Sequence, residues 1–247
     1  MLVNSECRKF RKRWFNMTLN LEVWEDQDAL YSRALEIFST ELKNGASTFG
    51  LATGGTMIPL YEKMRNSSLD FSHCTSVNLD EYVGIPQEHP ESYYTFMHQH
   101  LFAAKPFKAT NLPNGEADDV HAEALRYEKV LKSLTVDMQL LGVGVNGHIA
   151  FNEPGTSFQS ETDVVELTDS TRSANARFFD TMDEVPKQAI TMGIASIMRA
   201  NYILLIAVGE AKRPAIEALI KGNVTEDIPV TRLCNHPNVI VLTDLKI

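Results

Sequence analysis

The stretch DMQLLGVGVNGHIAFNEPG, residues 137–155, decides how the chain is read. An apolar run bounded by glycines has the length and composition of a strand buried on both faces. A strand that only filled a core would not end in Asn146, Gly147 and His148, with Glu153 and Pro154 close behind. Histidine titrates near neutrality and can move protons at physiological pH. A carboxylate on the same loop can hold the imidazole in one tautomer, as in a catalytic triad. The alternative is a structural histidine beside a turn.

Working outward, strands and helices alternate. Residues 27–43 carry apolar positions at helical spacing and stop at Asn44-Gly45. STFGLA (47–52) reads as a strand, TGGT (53–56) as a turn, and MIPLYEKMRN as the start of a helix. TSVNLDEY (75–82) reads as one strand ending in acids, 89–102 and 118–134 as helices, and 186–199 as helical. YILLIAVG (202–209) is a strand, 210–222 a helix closed by glycine, and NVIVLTD (238–244) a last strand. Continuous apolar strands alternating with helices imply a mostly parallel open sheet covered on both faces. The expected fold is α/β: a single-domain three-layer αβα sandwich of Rossmann-like type, spanning 17–247. In such folds ligands sit beyond the carboxyl ends of the strands. TGGT, Asp80-Glu81, GVNGH and Gly209–Lys212 all fall there.

Composition narrows the function. Net charge is −9 over 247 residues, which disfavours a nucleic-acid partner. No apolar run approaches the roughly 20 residues of a membrane helix. Cys7, Cys74 and Cys234 lack CxxC spacing, which argues for a reducing, cytoplasmic setting. Residues 1–16 hold Arg8, Lys9, Arg11, Lys12 and Arg13 against Glu6, with no apolar segment of the kind a secretory signal needs. They are expected to form a disordered extension before a first strand at 17.

TGGT joins a strand to a helix. Its glycines admit a ligand to the backbone, and the helix N-terminus is an anion site. Thr53 and Thr56 add hydroxyl donors. The turn matches neither a Walker loop nor a dinucleotide fingerprint, and a plain βα turn remains the alternative. Lys212, Arg172 and Arg177 are candidate phosphate partners, although each would also suit a solvated surface. Asp80, at a strand end, is placed as a rigid general base would be. No GxSxG nucleophile and no HExxH metal motif is present.

LATGGTMIPLY, NLDEYVGIPQEHPESYYTFM, LGVGVNGHIAFNEPGTSF, TRSANARFF and VPKQAITMGIASI together resemble the glucosamine-6-phosphate deaminases, in order, from about residue 20 to the end. The resemblance implies a cofactor-free, metal-free conversion of glucosamine 6-phosphate and water to fructose 6-phosphate and ammonia. It implies that Asp80 moves a proton between C2 and C1, that His148 opens the sugar ring, and that Glu153 orients His148. Thr53, Gly54, Gly55, Thr56, Arg177 and Lys212 would grip the phosphate, and the segment 163–185 would act as a lid. Asn146 stands where some members have an aspartate; it belongs to the catalytic set but cannot titrate. Asp163-Val164-Val165 stand where allosteric members carry basic residues, and the chain ends at Ile247 without their longer tail. A monomer or small homo-oligomer, not activated by N-acetylglucosamine 6-phosphate, is expected. The rivals are a 6-phosphogluconolactonase and a non-catalytic sugar-phosphate-binding regulator. The first shares the fold and a related GxGxDGH stretch. The second would be marked by a lost acid–base set, and Asp80, His148 and Glu153 are all present.

Overall fold

Strand β7 (Met138–Leu141) is buried at every position and lies in the middle of the main sheet. The structure, a computed structural model, describes residues 7–14, 17–176 and 179–247. On one side β7 pairs in parallel with β3 (Thr48–Leu51), on the other with β10 (Ile203–Ala207). The full order is β1 (Cys7–Trp14), β2 (Met17–Trp24), β11 (Asn238–Thr243), β10, β7, β3, β4 (Thr75–Asn78), β6 (Ala109–Asn111). Every pair is parallel except β1–β2. From β3 the chain moves outward through β4 and β6, and then returns to build β7, β10 and β11 on the other flank. The direction reverses between β3 and β7, which makes their carboxyl ends the switch point where a crevice opens. The TGGT turn follows one of these strands and the GVNGH loop follows the other.

Helices α1 (Gln27–Lys43), α2 (Ile58–Arg65), α4 (Val120–Ser133) and α7 (Arg213–Lys221) connect the strands. In α1 the buried side chains Leu30, Tyr31, Ala34, Ile37 and Phe38 form one stripe at helical spacing. Asp26 caps its start by accepting the Asp28 N–H at 2.9 Å. Phe38 of α1 stacks on Phe49 of β3 with centroids 5.5 Å apart, and Phe71 meets both rings edge-on. Gly222, at φ 78°, ends α7 as the sequence pattern predicts. The chain is therefore a single-domain, mostly parallel α/β sandwich of Rossmann-like type. No helix among the described residues is long and apolar enough to cross a membrane.

Four segments differ from the sequence reading. The stretch 75–82 is two strands. β4 belongs to the main sheet, and β5 (Asp80–Tyr82) joins a second, antiparallel sheet with β9 (Gln188–Thr191) and β8 (Asp163–Glu166). The first part of 186–199 is thus a strand rather than a helix, followed by the short α6 (Ile194–Ile197). Cross-strand pairing on both sides of β9 overrides local helical periodicity. The helix read over 89–102 starts later. Ser92 caps α3 (Tyr93–Met97), which runs on into a π-helical turn at His98–Phe102. Finally Cys7–Trp14, expected within a disordered extension, runs as β1 beside β2, with Lys9 opposite Glu22 in register. A hairpin partner satisfies backbone groups that β2 would otherwise expose as a sheet edge. The remainder of 1–16 lies outside the described residues.

Candidate active site

Two of the strand-end turns share one design. After β3, Gly54 takes φ 97° and ψ 162°, a 3-10 turn runs Gly55–Met57, and α2 opens with a proline in its first turn. After β10, Gly209 takes φ 94° and ψ 148°, a 3-10 turn runs Glu210–Lys212, and α7 again opens with a proline. A side chain on Gly54 would meet nothing within 4 Å, so the backbone conformation, not crowding, calls for glycine there. The open space is what a ligand approaching the backbone needs. Both turns are anchored from behind. The Tyr31 hydroxyl donates to the Thr56 carbonyl at 2.8 Å, and the Gly209 N–H donates to Asp244 Oδ1 at 2.8 Å.

Between these turns and the β7 loop lies a cleft of about 360 Å³, lined by Thr53, Gly54, Thr56, Asp80, Tyr93, Asn146, His148 and Lys212 among others. Lys212 is half-buried, its side chain has no hydrogen-bond or ion-pair partner among the described residues, and burial holds its ammonium below the usual lysine range. An unpaired cation beside a glycine turn and a helix start suits a phosphate. Gly55 lies in the 3-10 turn without lining the cleft. Arg172 turns away: its guanidinium donates to the Met182 and Val185 carbonyls at 3.0 and 3.3 Å. Arg177 lies outside the described residues.

The β7 loop carries the imidazole. The His148 ring sits on Gly144, where an added Cβ would lie 2.2 Å from Cε1. Ala150, a non-glycine residue at φ 52°, follows it on the cleft wall. Asn146 is a bridge. Its Oδ1 accepts the His148 N–H at 3.1 Å, and its Nδ2 donates to Glu153 Oε2 at 2.7 Å. The network fixes which way this amide points, since the flipped form would set oxygen against carboxylate. Glu153 Oε2 lies 3.5 Å from His148 Nδ1, an ion-pair separation longer than a good hydrogen bond. Thr171, from α5 (Asp169–Asn175), donates to Glu153 Oε1 at 2.6 Å. Burial pushes the Glu153 carboxyl up, but His148, Thr171 and Asn146 more than offset this and pull it down to about 2. Glu153 is therefore a fixed negative charge beside the imidazole at neutral pH.

Asp80 and Glu81 divide sharply. Glu81 accepts the N–H groups of Tyr82, Tyr93 and Tyr94, each at 2.9 Å, and so ties β5 to the start of α3. Asp80 is 6% exposed, has no side-chain partner among the described residues, and faces the cleft. Burial, then the neighbouring Glu81, pushes its carboxyl up to about 8. Asp80 lines the cleft, and Glu153 stands behind its wall against the cleft-lining His148 and Thr171; two carboxyls in opposite states are how acid and base roles are separated in one site. Among the described residues no three His, Cys, Asp or Glu side chains converge as a metal set. Tyr93, Ser170, Thr171 and Asn175 also line the cleft, and sequence reasoning named none of them. Three of the four belong to α5, inside the stretch expected as a lid.

Residues 25–241 match the family described as glucosamine-6-phosphate isomerases/6-phosphogluconolactonase. The chain belongs to that family. A glucosamine-6-phosphate deaminase of Lysinibacillus sphaericus is 60% identical over 206 residues, 83% of this chain and 93% of the relative. One from Oenococcus oeni is 48% identical over 226 residues, 92% of this chain and 96% of the relative. Among solved structures, a monomeric glucosamine-6-phosphate deaminase superposes with a TM-score of 0.86 at 42% identity, covering 90% of this chain and 96% of the other. A 6-phosphogluconolactonase from Thermotoga maritima superposes at 0.71 with 16% identity over 90% and 98%, and shares the fold of the family.

The Asp80 carboxyl makes a stability prediction. It holds its proton more tightly when folded, at about 8, than the ordinary value of 3.8 expected of the unfolded chain. Its contribution is fully present below about pH 4 and is lost as pH rises through about 8. The Asp80→Asn variant should therefore gain stability over wild type progressively between pH 5 and 9 in denaturant titrations. A constant difference across that range would contradict the assignment.

Proposed function

We propose that this chain is a glucosamine-6-phosphate deaminase, releasing ammonia from glucosamine 6-phosphate as it forms fructose 6-phosphate. The observation that carries the reading is one cleft lined both by Asp80, a buried carboxyl with no side-chain partner among the described residues, and by His148 with Glu153 behind it, beside a glycine turn at a helix start. Each group suits one part of the reaction. The phosphate seats on the Thr53–Thr56 turn and Lys212, with Arg177 as a third contact. Binding energy from this distant group positions the reacting carbons. His148 passes a proton between the ring oxygen and the C1 hydroxyl, opening the pyranose, and the Glu153 charge stabilises the imidazolium formed on the way. Asn146 takes no proton; it holds Glu153 against the loop.

In the open-chain sugar, Asp80 removes the C2 proton while a proton passes from the C2 ammonium to the C1 carbonyl oxygen, leaving a neutral enolamine. Asp80 then delivers its proton to C1. The nitrogen electrons form a C2 imine, and water replaces the nitrogen to give the ketone and ammonia. A proton shuttled between neighbouring carbons needs one shielded carboxylate that reaches both. The positive amino group at C2 favours the ionised form of Asp80 once substrate is bound. No step calls for a metal or an organic cofactor. The solvent-shielded carboxyl at Asp80 is what distinguishes this reading from a lactonase, which needs only an activated water. Substrate is a small sugar phosphate in a cytoplasmic, reducing setting. Asp163-Val164-Val165, on β8, offers no basic group to a second sugar phosphate, so the enzyme works as a monomer or small homo-oligomer without such activation.

Ammonia release from glucosamine 6-phosphate in excess chelator tests the activity, and folded protein that releases none rejects it. Asp80→Asn should lower kcat by about 10²–10⁴; a rate close to wild type would remove Asp80 from the base role. Gly144→Ala should displace the His148 ring and lower kcat by about 10² while the protein stays folded. A fully active Gly144→Ala protein would show that the ring position does not matter. Adding N-acetylglucosamine 6-phosphate at low substrate should leave the rate unchanged, and a strong rise would overturn the reading of the β8 segment.

A further inference from the structure

Glu153 is held from two directions. Oε2 takes the Asn146 amide at 2.7 Å, from the same loop as His148, while Oε1 takes the Thr171 hydroxyl at 2.6 Å, from α5. Thr171 lies 18 residues further along the chain from Glu153, beyond β8. Its hydroxyl has a fixed direction. Thr168, the N-cap of α5, accepts the Thr171 N–H at 3.2 Å and donates its own hydroxyl to Thr171 Oγ1 at 3.0 Å. Ser170 Oγ lies 2.9 Å from Thr168 Oγ1. With Thr168 donating to Thr171, Ser170 must donate to Thr168. The hydrogens therefore run from Ser170 through Thr168 to Thr171, and from there to the carboxylate. Such chains polarise one another.

His148 Nδ1 is buried and has no hydrogen-bond partner among the described residues, with Glu153 Oε2 standing 3.5 Å away. A shift of a few tenths of an ångström in the carboxylate would make that contact a hydrogen bond. What fixes the carboxylate on the side away from the β7 loop is Thr171. We infer that Thr171 is a positioning residue for the reaction: its hydroxyl sets where the Glu153 carboxylate stands relative to the His148 imidazole, and so ties ring opening to the seating of α5 over the cleft. The inference rests on the deaminase reading for its catalytic consequence, whereas the geometric link from Thr171 to the imidazole does not.

The test uses Thr171→Val, which keeps the shape and removes the hydroxyl, and Thr171→Ser, which keeps the hydroxyl. Hydrogen bonds to charged groups are strong enough that the valine variant should lose about tenfold in kcat. KM should change less than about threefold, because a uniform binding contact would move KM instead. Thr171→Ser should restore kcat to within about twofold of wild type, a fold-change too small to report a lost interaction. In the substrate-free proteins, the NMR resonances of the His148 ring should shift in Thr171→Val and stay in place in Thr171→Ser. A valine variant with wild-type kcat, a loss confined to KM, a serine variant as impaired as the valine one, or unmoved His148 ring resonances in the valine variant would each overturn the inference. Wild-type protein that releases no ammonia would instead reject the deaminase reading, and the NMR comparison would still decide the role of Thr171.

Discussion

Leu79 is bonded to two sheets at once. Its N–H donates to Leu51 of β3 at 3.3 Å, and its carbonyl accepts the Met192 N–H, just past β9, at 2.7 Å. The parallel sheet ends and the antiparallel one begins at this single residue, and Asp80 is the next residue along. A carboxyl on an ordinary strand end would be solvated and unremarkable. Here it opens the second sheet, paired with Thr191 of β9, and is 6% exposed with no side-chain partner among the described residues. A buried carboxyl of this kind keeps its proton until something charged arrives. The neighbouring Glu81 is the structural counterweight: the N–H groups of Tyr93 and Tyr94 hold it at the head of α3, and that of Tyr82 holds it on β5. The fold therefore spends one acid on anchoring β5 so that the other can be left unpaired.

The β7 loop solves the opposite problem. His148 needs a partner that stays negative, and Glu153 receives hydrogen bonds from both an amide and a hydroxyl, with the imidazole beside it. Donors to the charged form lower a carboxyl, and here they outweigh the burial that would raise it. Asn146 fits this arrangement as a neutral donor. An aspartate in its place would face Glu153 as a like charge, so the network seen here depends on an amide at that position. The two glycine turns after β3 and β10 have a geometry that suits an anion, and their positions are fixed from behind by Tyr31 and Asp244.

Much of this was legible in the sequence, for identifiable reasons. The parallel sheet was readable because β3, β7 and β10 are continuous apolar runs, and the strand-end position of Thr53–Thr56, Asp80 and His148 followed from them. The break at Leu79 was not readable, because TSVNLDEY has the pattern of one strand and only the pairing with β9 divides it. The same pairing hid β9 itself inside a segment with helical periodicity. Thr171 escaped notice because an N-cap cluster such as Thr168–Thr171 looks the same whether or not its last hydroxyl has a distant partner. The split between Asp80 and Glu81 is also a three-dimensional fact: adjacent acids in a strand point to opposite sides, but which side holds a helix start is set by the fold.

The central claim is that one buried carboxyl, Asp80, carries the proton between C2 and C1. Turnover of glucosamine 6-phosphate in deuterium oxide, with NMR of the fructose 6-phosphate formed, tests it most directly. A single carboxylate reaching one face of the enolamine delivers either the retained C2 proton or, after exchange with solvent, deuterium, so that any deuterium enters one of the two C1 positions only, and Asp80→Asn slows that labelling as much as turnover. Deuterium distributed over both C1 positions, or one-sided labelling at an undiminished rate in Asp80→Asn, would contradict the account.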